Sequence, residues 1–136
     1  MHRPAVFLPL VCCLLAAPSG LLARASPAPP PPQVASAEQV DRGRTVFRSS
    51  CATCHGPEGQ GGEGPTLIGP TSVVRGYRTA QTLFDFVSAN MPFNAPGSLK
   101  AEDYWDVLAF VLDANGLLPP DVVLGPETAP NIRINP

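Results

Sequence analysis

The chain has 136 residues, and its 18 prolines gather near its two ends. A formal net charge of −2 gives it no basic surface of the kind that binds nucleic acids. Between the proline-rich ends, residues 37–116 form a segment of about 80 residues. At that size an apolar core alone is marginal, and a bound group or a covalent staple helps.

Residues 1–25 have the pattern of an export signal. An apolar run over residues 5–17 follows a basic start, and the small residues Ala23 and Ala25 precede a predicted cleavage point before Ser26. We therefore predict an exported, periplasmic protein. The alternative is a retained membrane anchor facing the periplasm, because the apolar stretch is close to the length of a membrane span.

Residues 26–36 are predicted to form a linker, in which the four prolines at 29–32 favour an extended polyproline spacer. Ser36 and Gln39 then match a capping box, with the Gln39 side chain reaching back to Ser36. This cap predicts a first helix that continues to about Ser50, with apolar residues at spacings of three and four on one face.

Two more helices are predicted, separated by loops rich in glycine and proline. Thr79 is expected to cap a helix through about Ala89, and another helix covers residues 101–114, where Asn115-Gly116 stops it. The apolar stripe of that last helix comprises Tyr104, Val107, Leu108, Val111 and Leu112. No convincing strand pattern occurs, so the fold is predicted to be all-α. The tail, residues 117–136, is expected to wrap the surface without regular structure.

The sequence Cys51-Ala52-Thr53-Cys54-His55 carries the chemistry. Two thiols three positions apart can each bond to one vinyl group of the same haem, and the histidine after the second thiol is then held under the iron. This is the attachment signature of c-type haem. Three alternatives are a disulfide that closes a tiny loop, a thioredoxin-like redox pair, which expects a preceding strand, and a zinc site, which needs four ligands.

Met91 is the predicted second axial ligand of the iron. Once residues 1–25 are removed, His55 is the one histidine left and Met91 the one methionine, in a loop beside Pro92. His/Met ligation raises the haem potential and leaves no open iron position for a substrate. The pattern therefore favours an electron carrier over an enzyme. The alternatives are a packing role for Met91, or an open sixth position in a haem enzyme or ligand sensor.

Residues 37–116 resemble the class I c-type cytochrome family. The resemblance is carried, in order, by Gly43 and Phe47, the Cys51–His55 sequence, Gly64-Pro65-Thr66-Leu67, Met91-Pro92, and an aromatic last helix. It implies three main helices around one covalently attached haem, with long loops. It also implies that the Pro65 carbonyl accepts the proton of His55, and that Gly43 and Phe47 meet Val107 and Phe110 where the first and last helices cross.

From Met91 onward the chain is similar to cytochromes of quinoprotein alcohol dehydrogenase systems. We predict a carrier that is a monomer or forms transient complexes, with a periplasmic dehydrogenase as electron donor and an oxidase or another cytochrome as acceptor; the resemblance implies that the donor is a quinoprotein. Family members often hold the haem propionates near the positions of Arg75 and Tyr77 in this sequence, so both are candidate haem-binding residues. The alternative for them is an ordinary solvated turn. One departure from the resemblance is Lys100, where a serine or threonine cap is usual.

Overall fold

The computed structural model describes residues 31–135, without the side chains of residues 33–35. The predicted signal, residues 1–25, and the first part of the predicted linker, residues 26–30, lie outside the described residues. Within them the fold is all-α, as predicted: α1 (Pro32–Ser50), α2 (Ala52–His55), α3 (Ala80–Asn90) and α4 (Ala101–Ala114), with 3₁₀ turns at Val73–Gly76 and Ala129–Asn131. None of the helices in the described part of the chain is both long and apolar enough to cross a membrane.

Helices α3 and α4 begin and end where the sequence predicts. The Thr79 side chain accepts a hydrogen bond from the Thr82 backbone N–H at 3.2 Å, and the Thr82 hydroxyl accepts one from the Thr79 N–H at 3.1 Å. Helix α4 starts after Lys100 without a side-chain cap. The acidic residues in its first turn stabilise the helix N-terminus instead, by their favourable interaction with the helix dipole. Helix α4 ends at Ala114 with Asn115 as its C-terminal cap, and Gly116 takes the left-handed conformation (φ 67°) that the predicted stop requires.

The predicted start of α1 is wrong. The helix begins at Pro32, inside the proline run that was expected to be extended, because proline suits the first turn of a helix, where its missing N–H is not needed. The Ser36–Gln39 capping box does not form, since no side chain caps this helix. The Gln39 amide is buried instead and binds the backbone of Leu124 in the C-terminal tail.

The predicted crossing of the first and last helices is confirmed. A Cβ atom on Gly43 would collide with the backbone carbonyl of Asp106, so the two helix backbones approach as only glycine allows. The rings of Phe47 and Phe110 pack beside this point, 5.4 Å apart. Arg42 of α1 adds two hydrogen bonds across the two helices, to the buried Asp106 carboxylate, at 2.7 and 3.1 Å. The first of these bonds, to Asp106, raises the pKa of Arg42.

The C-terminal tail does more than wrap the surface, which corrects the sequence-based expectation. It contains a 3₁₀ turn and contributes buried side chains to the core: Leu124, Ala129, Ile132 and Ile134. Its backbone is tied to the start of α3, because the Ala80 N–H donates to the Ile132 carbonyl at 3.0 Å and the Ile134 N–H donates to the Arg78 carbonyl at 3.1 Å. The tail therefore supports both α1 and α3.

Candidate functional site

A cavity of about 1040 Å³ opens between the end of α1, the short helix α2, helices α3 and α4, and the loops that join them. Its walls are mainly apolar, and Glu63 is the one charged side chain among the described residues that line it. The apolar wall includes Phe47, Leu83, Val87, Val107 and Val111. Most of these also belong to the hydrophobic core, so the cavity sits in the middle of the fold.

The two cysteines lie on the cavity wall, where the chain changes direction between α1 and α2. The Cys51 N–H still bonds to the Phe47 carbonyl of α1 at 2.9 Å, and the Cys51 carbonyl accepts from the His55 N–H at 3.0 Å. Both thiols are free and face the cavity. Burial, with a smaller effect from Cys54, raises the pKa of the Cys51 thiol to about 11, so it stays protonated at neutral pH.

His55 is buried and has one ring nitrogen fixed. Its Nδ1 lies 2.8 Å from the Pro65 carbonyl oxygen. A carbonyl can only accept a hydrogen bond, so Nδ1 carries a proton and donates a hydrogen bond to the Pro65 carbonyl, which leaves the lone pair of Nε2 available for a metal. Gly64 packs against the ring, because a Cβ there would lie 2.7 Å from His55 Cε1. The loop at Gly64 and Pro65 thus sets both the tautomer and the tilt of the imidazole.

Met91 lines the same cavity from the other end of the fold, where it caps the C-terminus of α3. Its backbone is held on both sides. The Met91 N–H donates to the Val87 carbonyl at 2.9 Å, and the Met91 carbonyl accepts from the buried Tyr104 hydroxyl at 2.6 Å. A thioether can therefore be presented to the cavity from a fixed backbone position.

The two candidate propionate residues are in different places. Tyr77 lines the cavity, its ring centroid is 5.7 Å from that of Phe86, and burial raises the pKa of its hydroxyl. Arg75 does not line the cavity; its guanidinium donates to the Asn115 carbonyl at 3.0 Å. The structure therefore gathers Cys51, Cys54, His55, Pro65, Met91 and Tyr77 around one space and leaves Arg75 outside it.

Two residues that support the site were not recognised from the sequence. Tyr104 was assigned only to the apolar stripe of α4, yet its hydroxyl holds the Met91 carbonyl. Asn115 was assigned only to the helix stop, yet its Nδ2 donates to the Leu67 carbonyl at 2.9 Å and its Oδ1 accepts from the Gly69 N–H at 3.2 Å. No local signal could have found these contacts, because their partners are distant in the sequence.

The residues around the cavity fit a haem. The space is large and apolar, as a porphyrin ring requires, and the cysteines stand beside a histidine whose Nε2 lone pair is free. By contrast, no group of three or more His, Cys, Asp and Glu side chains within residues 31–135 is placed to hold a metal ion. This donor set therefore fits a porphyrin-held iron better than the four-ligand zinc alternative.

Comparison with known proteins supports this interpretation. The family model described as cytochrome c oxidase, cbb3-type, subunit III matches residues 38–111, which contain every residue named above for the cavity. The thiosulfate dehydrogenase of Stutzerimonas stutzeri (strain A1501) is 35% identical over 105 residues, which cover 70% of this chain and 34% of that protein. The thiosulfate dehydrogenase of Allochromatium vinosum is 35% identical over 79 residues, covering 52% and 29%. The chain thus spans about a third of the length of these relatives.

Among solved structures, the sulfane dehydrogenase SoxCD from Paracoccus pantotrophus superimposes with a TM-score of 0.61. The sequence identity is 23%, and the match covers 82% of this chain and 68% of that chain. At this level of identity the likeness concerns the fold alone, and it agrees with the all-α architecture described above.

Proposed function

This chain belongs to the cytochrome c family, and from that premise we propose that it is an exported single-haem carrier that passes one electron at a time and is not itself an enzyme. The observation that carries the proposal is the convergence of Cys51, Cys54, His55 and Met91 on one apolar cavity, with the Nδ1 proton of His55 already bound by Pro65. When bound, the haem supplies a reversible one-electron iron couple.

Each residue of the site has a distinct part in this proposal. The Cys51 and Cys54 sulfurs would hold the porphyrin by thioether bonds, and His55 would bind the iron through Nε2, since its Nδ1–H donates a hydrogen bond to the Pro65 carbonyl. Met91 would bind the iron through its thioether, a soft ligand that favours the reduced state. The mainly apolar walls would limit the access of water to the iron and so raise the potential further. An iron bound by both His55 and Met91 would offer no open position to a substrate.

A one-electron carrier needs one protein that reduces it and another that oxidises it. We propose a periplasmic dehydrogenase as donor and an oxidase or another cytochrome as acceptor, in short-lived complexes. Two donors are candidates: a quinoprotein dehydrogenase, favoured by the sequence from Met91 onward, and a dehydrogenase of reduced sulfur compounds, favoured by the relatives that are named thiosulfate dehydrogenase. Stopped-flow reduction of the holoprotein by each purified enzyme and its substrate separates them.

The variant Met91→Ala tests the ligand assignment. Its control is Pro96→Ala, because Pro96 is an exposed residue of the same loop that does not line the cavity. We expect Met91→Ala to lose the far-red absorption of methionine–iron ligation in the ferric protein, to lower the potential and to let the ferrous protein bind carbon monoxide. Pro96→Ala should behave like the wild type. An unchanged spectrum and potential for Met91→Ala would show that another group ligates the iron.

Two further measurements test the remaining parts. Mass spectrometry of the protein secreted to the periplasm should give Ser26 as the first residue; an intact N-terminus would favour the anchored form.

The purified holoprotein with thiosulfate and an artificial electron acceptor should show no turnover. Sustained turnover would mean that the chain is an enzyme.

A further inference from the structure

The Tyr104 hydroxyl joins the two ends of the loop that follows α3. It donates to the Met91 carbonyl at 2.6 Å and lies 3.5 Å from the Leu99 N–H, which points toward it as donor. Between these residues the chain has only bends and turns, and most of its side chains are exposed; Phe93 is 84% exposed. A single side chain from α4 therefore fixes the start of an irregular loop and lies against its end.

The position of this hydroxyl is set by the core. Tyr104 is 3% exposed, and its ring meets the ring of Phe84 edge-on, with centroids 6.4 Å apart and planes at 86°. Phe84 is in turn stacked on Trp105 at 3.6 Å. The tyrosine ring is thus held by α3 and α4 together, and its hydroxyl cannot swing away without disturbing both helices.

The Met91 carbonyl has no comparable second partner. The Gly97 N–H lies 3.4 Å from it, at the long limit for a hydrogen bond, whereas the Tyr104 bond is short. Removal of the hydroxyl would leave a partly buried carbonyl with only this weak bond. The backbone at Met91 would then be anchored mainly through its N–H, which donates to Val87 on the last turn of α3.

We propose that Tyr104 is a positioning residue for the sixth ligand: it holds the backbone of Met91 so that the thioether stays on the iron. This inference rests on the proposed ligation by Met91. A sulfur–iron bond is weak enough to open transiently, and the open form becomes more populated when the backbone that carries the sulfur is less restrained.

The test is Tyr104→Phe in the holoprotein, with carbon monoxide as the probe of the open form. The ring and its packing are kept, and only the hydroxyl is lost. We expect carbon monoxide to bind the ferrous variant about three- to tenfold faster than the wild type, because loss of one such hydrogen bond changes an equilibrium by about that factor. The reduction potential should fall as well, since the methionine-bound fraction is smaller.

The control Gln39→Leu distinguishes the positioning role from a general loss of stability. It removes two buried hydrogen bonds to Leu124 and is far from Met91 in the sequence. This variant should melt at a lower temperature yet keep the wild-type potential and carbon monoxide binding. In a Met91→Ala background, Tyr104→Phe should change neither quantity further, because the bond it supports is already gone.

The outcomes are distinct. If Met91→Ala opens the iron but Tyr104→Phe binds carbon monoxide no faster than Gln39→Leu, the positioning role is wrong and the proposed ligation stands. If Tyr104→Phe changes binding equally in the wild-type and Met91→Ala backgrounds, it acts elsewhere and the inference is also overturned. If Met91→Ala leaves the iron closed, the ligation itself fails.

Discussion

The side-chain amide of Gln39 on α1 forms two hydrogen bonds with the backbone of Leu124 in the tail, 85 residues away. The Gln39 Nε2 donates to the Leu124 carbonyl at 2.8 Å, and the Leu124 N–H donates to the Gln39 Oε1 at 2.7 Å. Both residues are buried. One side-chain amide thus satisfies both backbone groups of a buried residue in a segment that has no ladder of its own.

Replacing Gln39 by leucine should lower the free energy of unfolding by about 3 kcal/mol, because two buried backbone groups lose their partners. Gln81→Leu is the matched control. The Gln81 side chain donates to Asp85, one turn away on α3, and the loss of this exposed bond should cost about 0.5 kcal/mol or less. Denaturant unfolding of both holoproteins measures the difference. Equal losses would mean that the tail contact adds nothing.

The tail should also contribute through its apolar anchors. Leu124→Ala is expected to cost about 2–5 kcal/mol, the usual range for a leucine removed from a core. Its neighbour Val123 is 42% exposed, so Val123→Ala should be nearly neutral. If both variants unfold at the same denaturant concentration, the tail is not part of the cooperative unit.

Gly43→Ala should destabilise the crossing of α1 and α4 by about 3 kcal/mol, because the new methyl group would overlap the Asp106 carbonyl and force the helices apart. Gly76→Ala introduces the same methyl group where no heavy atom lies within 4 Å, and should change the stability by less than about 1 kcal/mol. Thermal melts of the two variants compare them directly. A stable Gly43→Ala protein would contradict the close approach.

Gly64→Ala tests the histidine side of the site. Its Cβ would lie 2.7 Å from His55 Cε1 and 2.8 Å from Nδ1, so the ring must tilt and the bond to Pro65 must lengthen. We expect an altered haem spectrum and a stability loss of about 1–3 kcal/mol. Gly125→Ala, with open space around it, should alter neither. A wild-type spectrum for Gly64→Ala would show that the ring position does not depend on this contact.

The sequence predicted those features whose partners are close along the chain. The cap at Thr79 depends on Thr82, and the stop at Asn115 depends on Gly116, so a short window contains the whole interaction. Gln39 shows the limit. The local sequence pattern predicts that Gln39 pairs with Ser36, whereas in the structure it forms two hydrogen bonds with the buried backbone of Leu124, 85 residues away.

The site divides in the same way. The Cys51–His55 sequence is itself local, and a five-residue window is enough to predict haem attachment. Arg75 is a candidate propionate-binding residue only by resemblance to the family, and in the structure its guanidinium donates to the Asn115 carbonyl at the end of α4. Which way a long side chain turns is decided by tertiary packing, and a single sequence does not contain that information.

Helix α4 contacts the loop that presents Met91 and the loop whose Pro65 carbonyl orients His55, through Tyr104 near its start and Asn115 at its end. These two contacts are separated by about 16 Å of one helix, at 1.5 Å per residue. Because one helix supports both loops and packs closely against α1 at Gly43, that packing resists movement of either loop. A haem held between these supports would rearrange little on each oxidation or reduction, and a small rearrangement is what makes electron exchange fast.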